Sequence, residues 1–237
     1  MTRIHLIRHG KASPENANYD ELHERGREQS RLLGQHYAAS AAHFDAWYCG
    51  PLTRQRDTLT HILAGAGSHA NGWPEANELF GLAEAPVDVL MKQDLMLRAQ
   101  TDAAVMGMIG ALSAAETEAD RHRAIELLVE HMIVLWVNGE ITRDGLETFA
   151  SFAERVKKAL ATIAVESAGA RDVAVITSNN VIGCVLAYLD PASAKHHGML
   201  RRFWNSSITE IVVVDGVFRL HAVNQVPHLP EELLTFI

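Results

Sequence analysis

The sequence predicts an α/β sandwich, and three observations carry that expectation. Short apolar runs alternate with amphipathic segments. Two successive strand, loop, helix units open the chain, and a similar unit returns late. In that late unit the run Val173 to Ile176 has no polar interruption, as a strand covered on both faces requires. With 237 residues, 48% hydrophobic and 21% charged, the chain has the size of one globular domain with room for an insertion.

Taken in order, "RIHLI" from Arg3 to Ile7 is the first strand, and it stops at Arg8, His9 and Gly10. Leu32, Leu33 and Tyr37 then recur at helical spacing among charges, which predicts a helix over Gly26 to Ala39. A second strand, "FDAWYCG", ends at Gly50-Pro51, and "LTRQRDTLTHILAGAG" follows as a helix stopped by its glycines. After Val173 to Ile176, the polar residues Thr177 to Asn180 separate that strand from a helix over Val181 to Leu189. "SITEIVVVDGVFRLHAVN" reads as two strands about the Asp215-Gly216 turn. Between the two halves, Ala83 to about Leu146 carries two long helical segments separated near Glu116 to Asp120, and is expected to be an inserted helical cap. Met91, Met96, Met106 and Met108 lie there at helical spacing, as core or as a subunit interface that leaves a homodimer open.

Composition excludes several classes of function. Lys+Arg 21 against Asp+Glu 29 gives a formal charge of −8, so no broad basic face is expected for nucleic acid or an anionic membrane. The longest uncharged apolar stretch, Ala103 to Ala115, falls short of the roughly 20 residues of a bilayer span. Cys49 and Cys184 have no metal-ligand spacing and form no disulfide framework, which fits a reducing cytoplasm. The first strand breaks too early to be a signal peptide. The adjacent His196-His197 pair has no carboxylate or cysteine to complete a metal site and reads as a solvated loop.

In open α/β sheets, ligands bind beyond the carboxyl ends of the strands. Three such ends carry chemistry: Arg8-His9-Gly10, Pro51 to Arg54, and Thr177 to Asn180. Two arginines and a histidine suit a phosphoryl group, because the guanidinium fork matches phosphate oxygens and keeps its charge. A neutral imidazole attacks phosphorus with one nitrogen when the other is held by a hydrogen bond.

"LIRHGKAS", "ELHERGREQSRLLG", "YCGPLTRQRDTL", "NELFG", "GLETFASFAERV", "VITSNNVIG", "NSSITEI" and "NQVPHL" follow in an order that resembles the histidine phosphatase superfamily, from Arg3 to about Leu229. The resemblance implies a phosphoglycerate mutase-like three-layer sandwich with a mostly parallel central sheet. It implies His9 as the nucleophile that becomes phosphohistidine, with Arg8 and Arg54 as the phosphoryl clamp. Glu78 matches the acid that protonates the leaving oxygen, a role that burial or a neighbouring charge must support, and Glu75 and Glu84 lie nearby. Such chemistry needs no metal and no organic cofactor. Its substrate is a small-molecule phosphate ester.

One position departs from the family pattern. The second histidine of the family corresponds to Ser178, followed by Asn179 and Asn180. A hydroxyl and an amide can each donate a neutral hydrogen bond to a phosphoryl oxygen, but neither supplies charge. Ser178 and Asn179 are therefore expected at the substrate in a slow or specialised phosphatase, or in a phosphate-binding module without turnover on the same fold. A mutase ranks lower, because the cap segment has no cluster of lysines or arginines for a second acidic group. His228, in "NQVPHL", is expected to be structural, and the cap segment "IELLVEHMIVLWV" leaves an interaction role open.

Overall fold

The computed structural model describes residues 1–13, 20–190 and 202–236; His196 and His197 lie outside the described residues. In chain order, the first elements are β1 (Thr2–Arg8), α1 (Glu24–Ala39), β2 (Ala46–Cys49), α2 (Thr53–Ala66) and β3 (Ala76–Glu78). Next come α3 (Val87–Val89), a π-helical turn (Leu90–Asp94), α4 (Leu95–Ala99), α5 (Ala103–Ser113), α6 (Glu118–Val137) and α7 (Phe149–Glu166). The chain continues through β4 (Asp172–Thr177), α8 (Asn179–Leu189), β5 (Ile208–Val214) and β6 (Val217–Gln225).

The six strands form one sheet in the order β3-β2-β4-β1-β5-β6. β1, β2, β3 and β4 run parallel, whereas β5 pairs antiparallel to both β1 and β6. β1 and β4 occupy the centre, and their near-complete burial follows from having a strand on each side and helices over the sheet. On one face, Leu33 and Tyr37 of α1 and Ile62 of α2 meet Ile7, Trp47, Ala174 and Ile176 in a continuous core. Tyr48 points the opposite way, as strand alternation demands, and its hydroxyl lies 3.1 Å from Glu166 Oε2 at the end of α7.

α1 and α2 approach each other through glycines. A Cβ built on Gly34 would lie 2.0 Å from the Ile62 carbonyl oxygen, and one on Gly65 would lie 2.0 Å from that of Arg31. Gly65 was expected to help stop the helix, but it is a helical contact residue; the terminator is Gly67, with φ of +57°. The β5–β6 hairpin closes on Asp215 (φ +51°) and Gly216 (φ +75°), the pair of left-handed residues that a two-residue turn needs.

The chain divides into two compact units, Met1–Glu84 with Arg155–Ile237, and Ala85–Glu154. Within the second unit, Asp102 caps α5 by accepting from the Ala104 and Val105 amides, and Thr117 caps α6 by accepting from the Asp120 amide. Trp136 is buried there, and its indole N–H donates to the Glu147 carbonyl at 2.7 Å. Met96 and Met106 are exposed. Among the described residues, no helix is long and apolar enough to cross a membrane.

Candidate active site

β1 ends at the carboxyl edge of the sheet, and its last residues are tied down on every side. Arg8 N–H donates to the Ser207 carbonyl and His9 N–H to the Thr177 carbonyl, each at 3.0 Å. The His9 carbonyl accepts from Asn205 Nδ2 and from the Ser206 amide, each at 3.3 Å. Gly10 then lets the backbone pass against α1, since a Cβ there would lie 2.3 Å from the Gly26 carbonyl oxygen. Its N–H donates to Thr58 Oγ1 at 3.0 Å, and that hydroxyl in turn donates to the Arg54 carbonyl at 2.7 Å. The histidine loop and the start of α2 are thereby bonded to each other.

His9 is buried, and its ring has a defined tautomer. Nδ1 lies 2.8 Å from the Gly10 carbonyl oxygen, which can only accept, so Nδ1 carries the proton. Nε2 is left with its lone pair, and Arg54 Nε donates to it at 3.3 Å. Burial first, and then the positive charges of Arg54 and Arg8, hold this imidazole well below its ordinary pKa. His9 is a neutral nitrogen base beside two cations.

Arg54 lies in the first turn of α2 and is 6% exposed. Its second contact was not anticipated: Nη1 pairs with Asp20 Oδ1 at 2.8 Å, while Asp20 Oδ2 accepts the Thr53 amide at 2.8 Å. Arg8, equally buried, donates to the Phe203 carbonyl. Phe203 N–H donates in turn to Asn179 Oδ1 at 3.2 Å, so Asn179 braces the backbone that holds Arg8.

Two of the expected site residues have surroundings that differ from those the sequence suggests. Ser178 is fully buried, and its Oγ accepts from Gln55 Nε2 at 2.9 Å. The same Gln55 amide donates to the Leu82 carbonyl, which also accepts from Thr177 Oγ1. Ser178 therefore sits in a buried polar strut between α2, β4 and the loop after β3. Glu78 lacks the burial expected of a protonated acid: its side chain is half exposed and forms a fork with Arg56 Nε and Nη2 at 2.8 and 2.6 Å. Glu84 instead reaches the amino end of α8, accepting the Asn180 amide at 3.2 Å.

Four residues at this edge escaped the sequence reading: Asp20, Gln55, Thr58 and Arg155. Arg155 donates to the carbonyls of Gly81, Ala83 and Glu84 and fixes the loop after β3. The place of Gln55 directly after Arg54 in α2 was a usable signal, because a helix start at a strand end aims its first turn at the site. Among the described residues, no group of three or more histidine, cysteine, aspartate or glutamate side chains is arranged to hold a metal ion. Cys49 and Cys184 are buried thiols, pushed up by burial to about 12 and about 11.

Behind the histidine loop, His228 Nε2 lies 3.3 Å from Ser206 Oγ, next to the residue that bonds the His9 carbonyl. Burial, with a smaller effect from His36, lowers His228 to about 3. Both His9 and His228 are neutral in the folded chain, whereas the unfolded chain binds protons at each near pH 6.5. Stability is therefore complete above about pH 6.5 and falls as pH drops from there toward 3. Urea unfolding at pH 7.5 and 5.5 is expected to show this loss, and His228→Gln is expected to shrink it; an unchanged loss would remove His228 as a source.

A family model described as histidine phosphatase superfamily (branch 1) matches residues 4–103 and 117–226. No curated protein sequence matches the chain significantly. Among solved structures, a phosphoglycerate mutase from Bacillus anthracis superposes with a TM-score of 0.64 at 20% identity, covering 96% of this chain and 94% of that one. A phosphoserine phosphatase from Entamoeba histolytica, in complex with phosphoserine, gives 0.63 at 17% identity, covering 97% and 100%. A mycobacterial glucosyl-3-phosphoglycerate phosphatase gives 0.61 at 15% identity, covering 94% and 99%. At these identities the likeness is one of fold.

Proposed function

The chain belongs to the histidine phosphatase superfamily (branch 1), and from that premise we propose that it hydrolyses a small-molecule phosphate monoester through a phosphohistidine on His9. The observation that carries the proposal is the state of His9: Nδ1–H bonded to the Gly10 carbonyl, and Nε2 unprotonated beside Arg54. In the first step Nε2 forms a bond to phosphorus while the ester P–O bond breaks, and the leaving oxygen takes a proton from an acid. In the second, water attacks the phosphohistidine, its proton is accepted by the conjugate base of that acid, and the N–P bond breaks to free inorganic phosphate and His9. Arg8 and Arg54 neutralise the charge on the transferring oxygens, the largest contribution expected of a protein to this reaction.

Glu78 acts as the proton donor in this scheme only if its carboxylate leaves Arg56. Glu84, which accepts the Asn180 amide at the amino end of α8, is the second carboxylate to be weighed for that role. Ser178 keeps one hydroxyl proton for a phosphoryl oxygen, and Asn179 acts through Phe203 on Arg8.

A second reading rests on Ser178 itself. With a neutral, buried strut where the family has a histidine, the site would be a phosphate binder without turnover. Hydrolysis of an aryl phosphate at pH 7 separates the two. Turnover with a phosphoprotein that is stable to base and labile to acid is the result expected of the phosphatase; phosphate binding with no turnover would overturn it in favour of the binder.

A further inference from the structure

We infer that Asp20 is a built-in competitor for the phosphoryl group, holding the anion-binding side of Arg54 until a phosphate displaces it; the inference rests on the phosphatase reading above.

Asp20 is the one described carboxylate that an ion pair ties to the guanidinium touching His9 Nε2. Its two oxygens satisfy two kinds of donor at once: Oδ1 takes Arg54 Nη1 at 2.8 Å, and Oδ2 takes the Thr53 amide at 2.8 Å. The Arg54 amide approaches Oδ1 at 3.5 Å. An arginine fork together with backbone N–H groups at the start of a helix is the donor set that receives a phosphate's oxygens. Here a side chain of the same protein satisfies it.

The chemistry of the exchange favours a substrate of higher charge. A carboxylate carries one negative charge and two acceptor oxygens, whereas a phosphate monoester near neutral pH carries close to two charges and three terminal oxygens. A dianion therefore gains more from Arg54 than Asp20 loses, while a monoanion gains little. Asp20 also repels whichever anion arrives, because it stays within one guanidinium's width of the site. A residue that merely oriented Arg54 would help phosphate to bind, so the two roles predict opposite signs for its removal.

The test is calorimetric titration of the full chain with inorganic phosphate at pH 7.5 and fixed ionic strength. Asp20→Asn and Asp20→Ser both keep an oxygen for the Thr53 amide and remove the charge, and each is expected to bind phosphate about tenfold or more tightly than the unaltered chain. Arg54→Ala is expected to lose binding. If the unaltered chain binds through Arg54 but neither Asp20 variant binds more tightly, the competitor role is overturned and the phosphatase reading stands. If no form binds phosphate, both fall. A measurement on the unaltered chain guards against misfolded variants: the Thr53 amide resonance must move as phosphate saturates the protein, and a resonance that stays in place overturns the displacement.

Discussion

His9→Ala is expected to remove aryl phosphate turnover, by about a thousandfold or more, while the chain stays folded. The backbone bonds of His9 to Thr177, Asn205 and Ser206 do not involve the ring and survive the change. Only two side-chain contacts are lost, the one to the Gly10 carbonyl and the one from Arg54 Nε. Among the described residues, His9 is the imidazole bonded to Arg54. Initial rates set beside a thermal unfolding curve decide the matter. A variant that keeps a tenth of the rate would mean that phosphorus is attacked by something other than His9.

Arg54→Ala is expected to cost about two to three decades in kcat/KM, the usual effect of removing one preorganised donor at a site of developing charge. The loss should exceed that of a surface arginine for a structural reason. This one guanidinium both contacts Nε2 of His9 and pairs with Asp20, so alanine removes a phosphate donor and, in the same change, the positive charge that Asp20 pairs with. Arg54→Lys should restore little, because an ammonium cannot present Nε to one partner and Nη1 to another in a fixed plane. Rates for the three forms, with inorganic phosphate as inhibitor, measure the effect. If lysine restores the rate, point charge rather than fork geometry is what Arg54 supplies.

Much of this edge of the sheet was legible in residues that carry strong local signals. The break of β1 at Arg8-His9-Gly10, the helix opening at Thr53-Arg54, and the Asp215-Gly216 turn each combine a periodicity change with a residue whose backbone or charge is distinctive. β3 was not legible, because three residues cannot establish a period of two, and its strand character comes from pairing with Trp47 to Cys49. Glu78 shows the limit on the chemical side. Its place in "NELFG" gave it a role, but its partner Arg56 lies 22 positions away and is brought to it only by the packing of α2 beside β3. Asp20 carried no pattern at all, since its meaning lies in a contact with a helix that starts 33 residues later. Ser178 could be read as a substitution but not as a strut, because Gln55 is 123 positions away.

The glycine contact between α1 and α2 bears on how precisely His9 is held against Arg54. Gly10 rests on Gly26 at the start of α1, Arg54 rides on the first turn of α2, and Gly34 and Gly65 let the two helix backbones touch farther along. Helices in backbone contact have no side-chain layer to compress or slide, so the platform under His9 and the platform under Arg54 move as one stiff body. Thermal motion can tilt that body against the sheet, yet it hardly changes the spacing between His9 and Arg54. Alignment tolerance at this site is thus set away from the chemistry, 25 positions along the chain from His9 and 11 from Arg54, by the absence of two methyl groups.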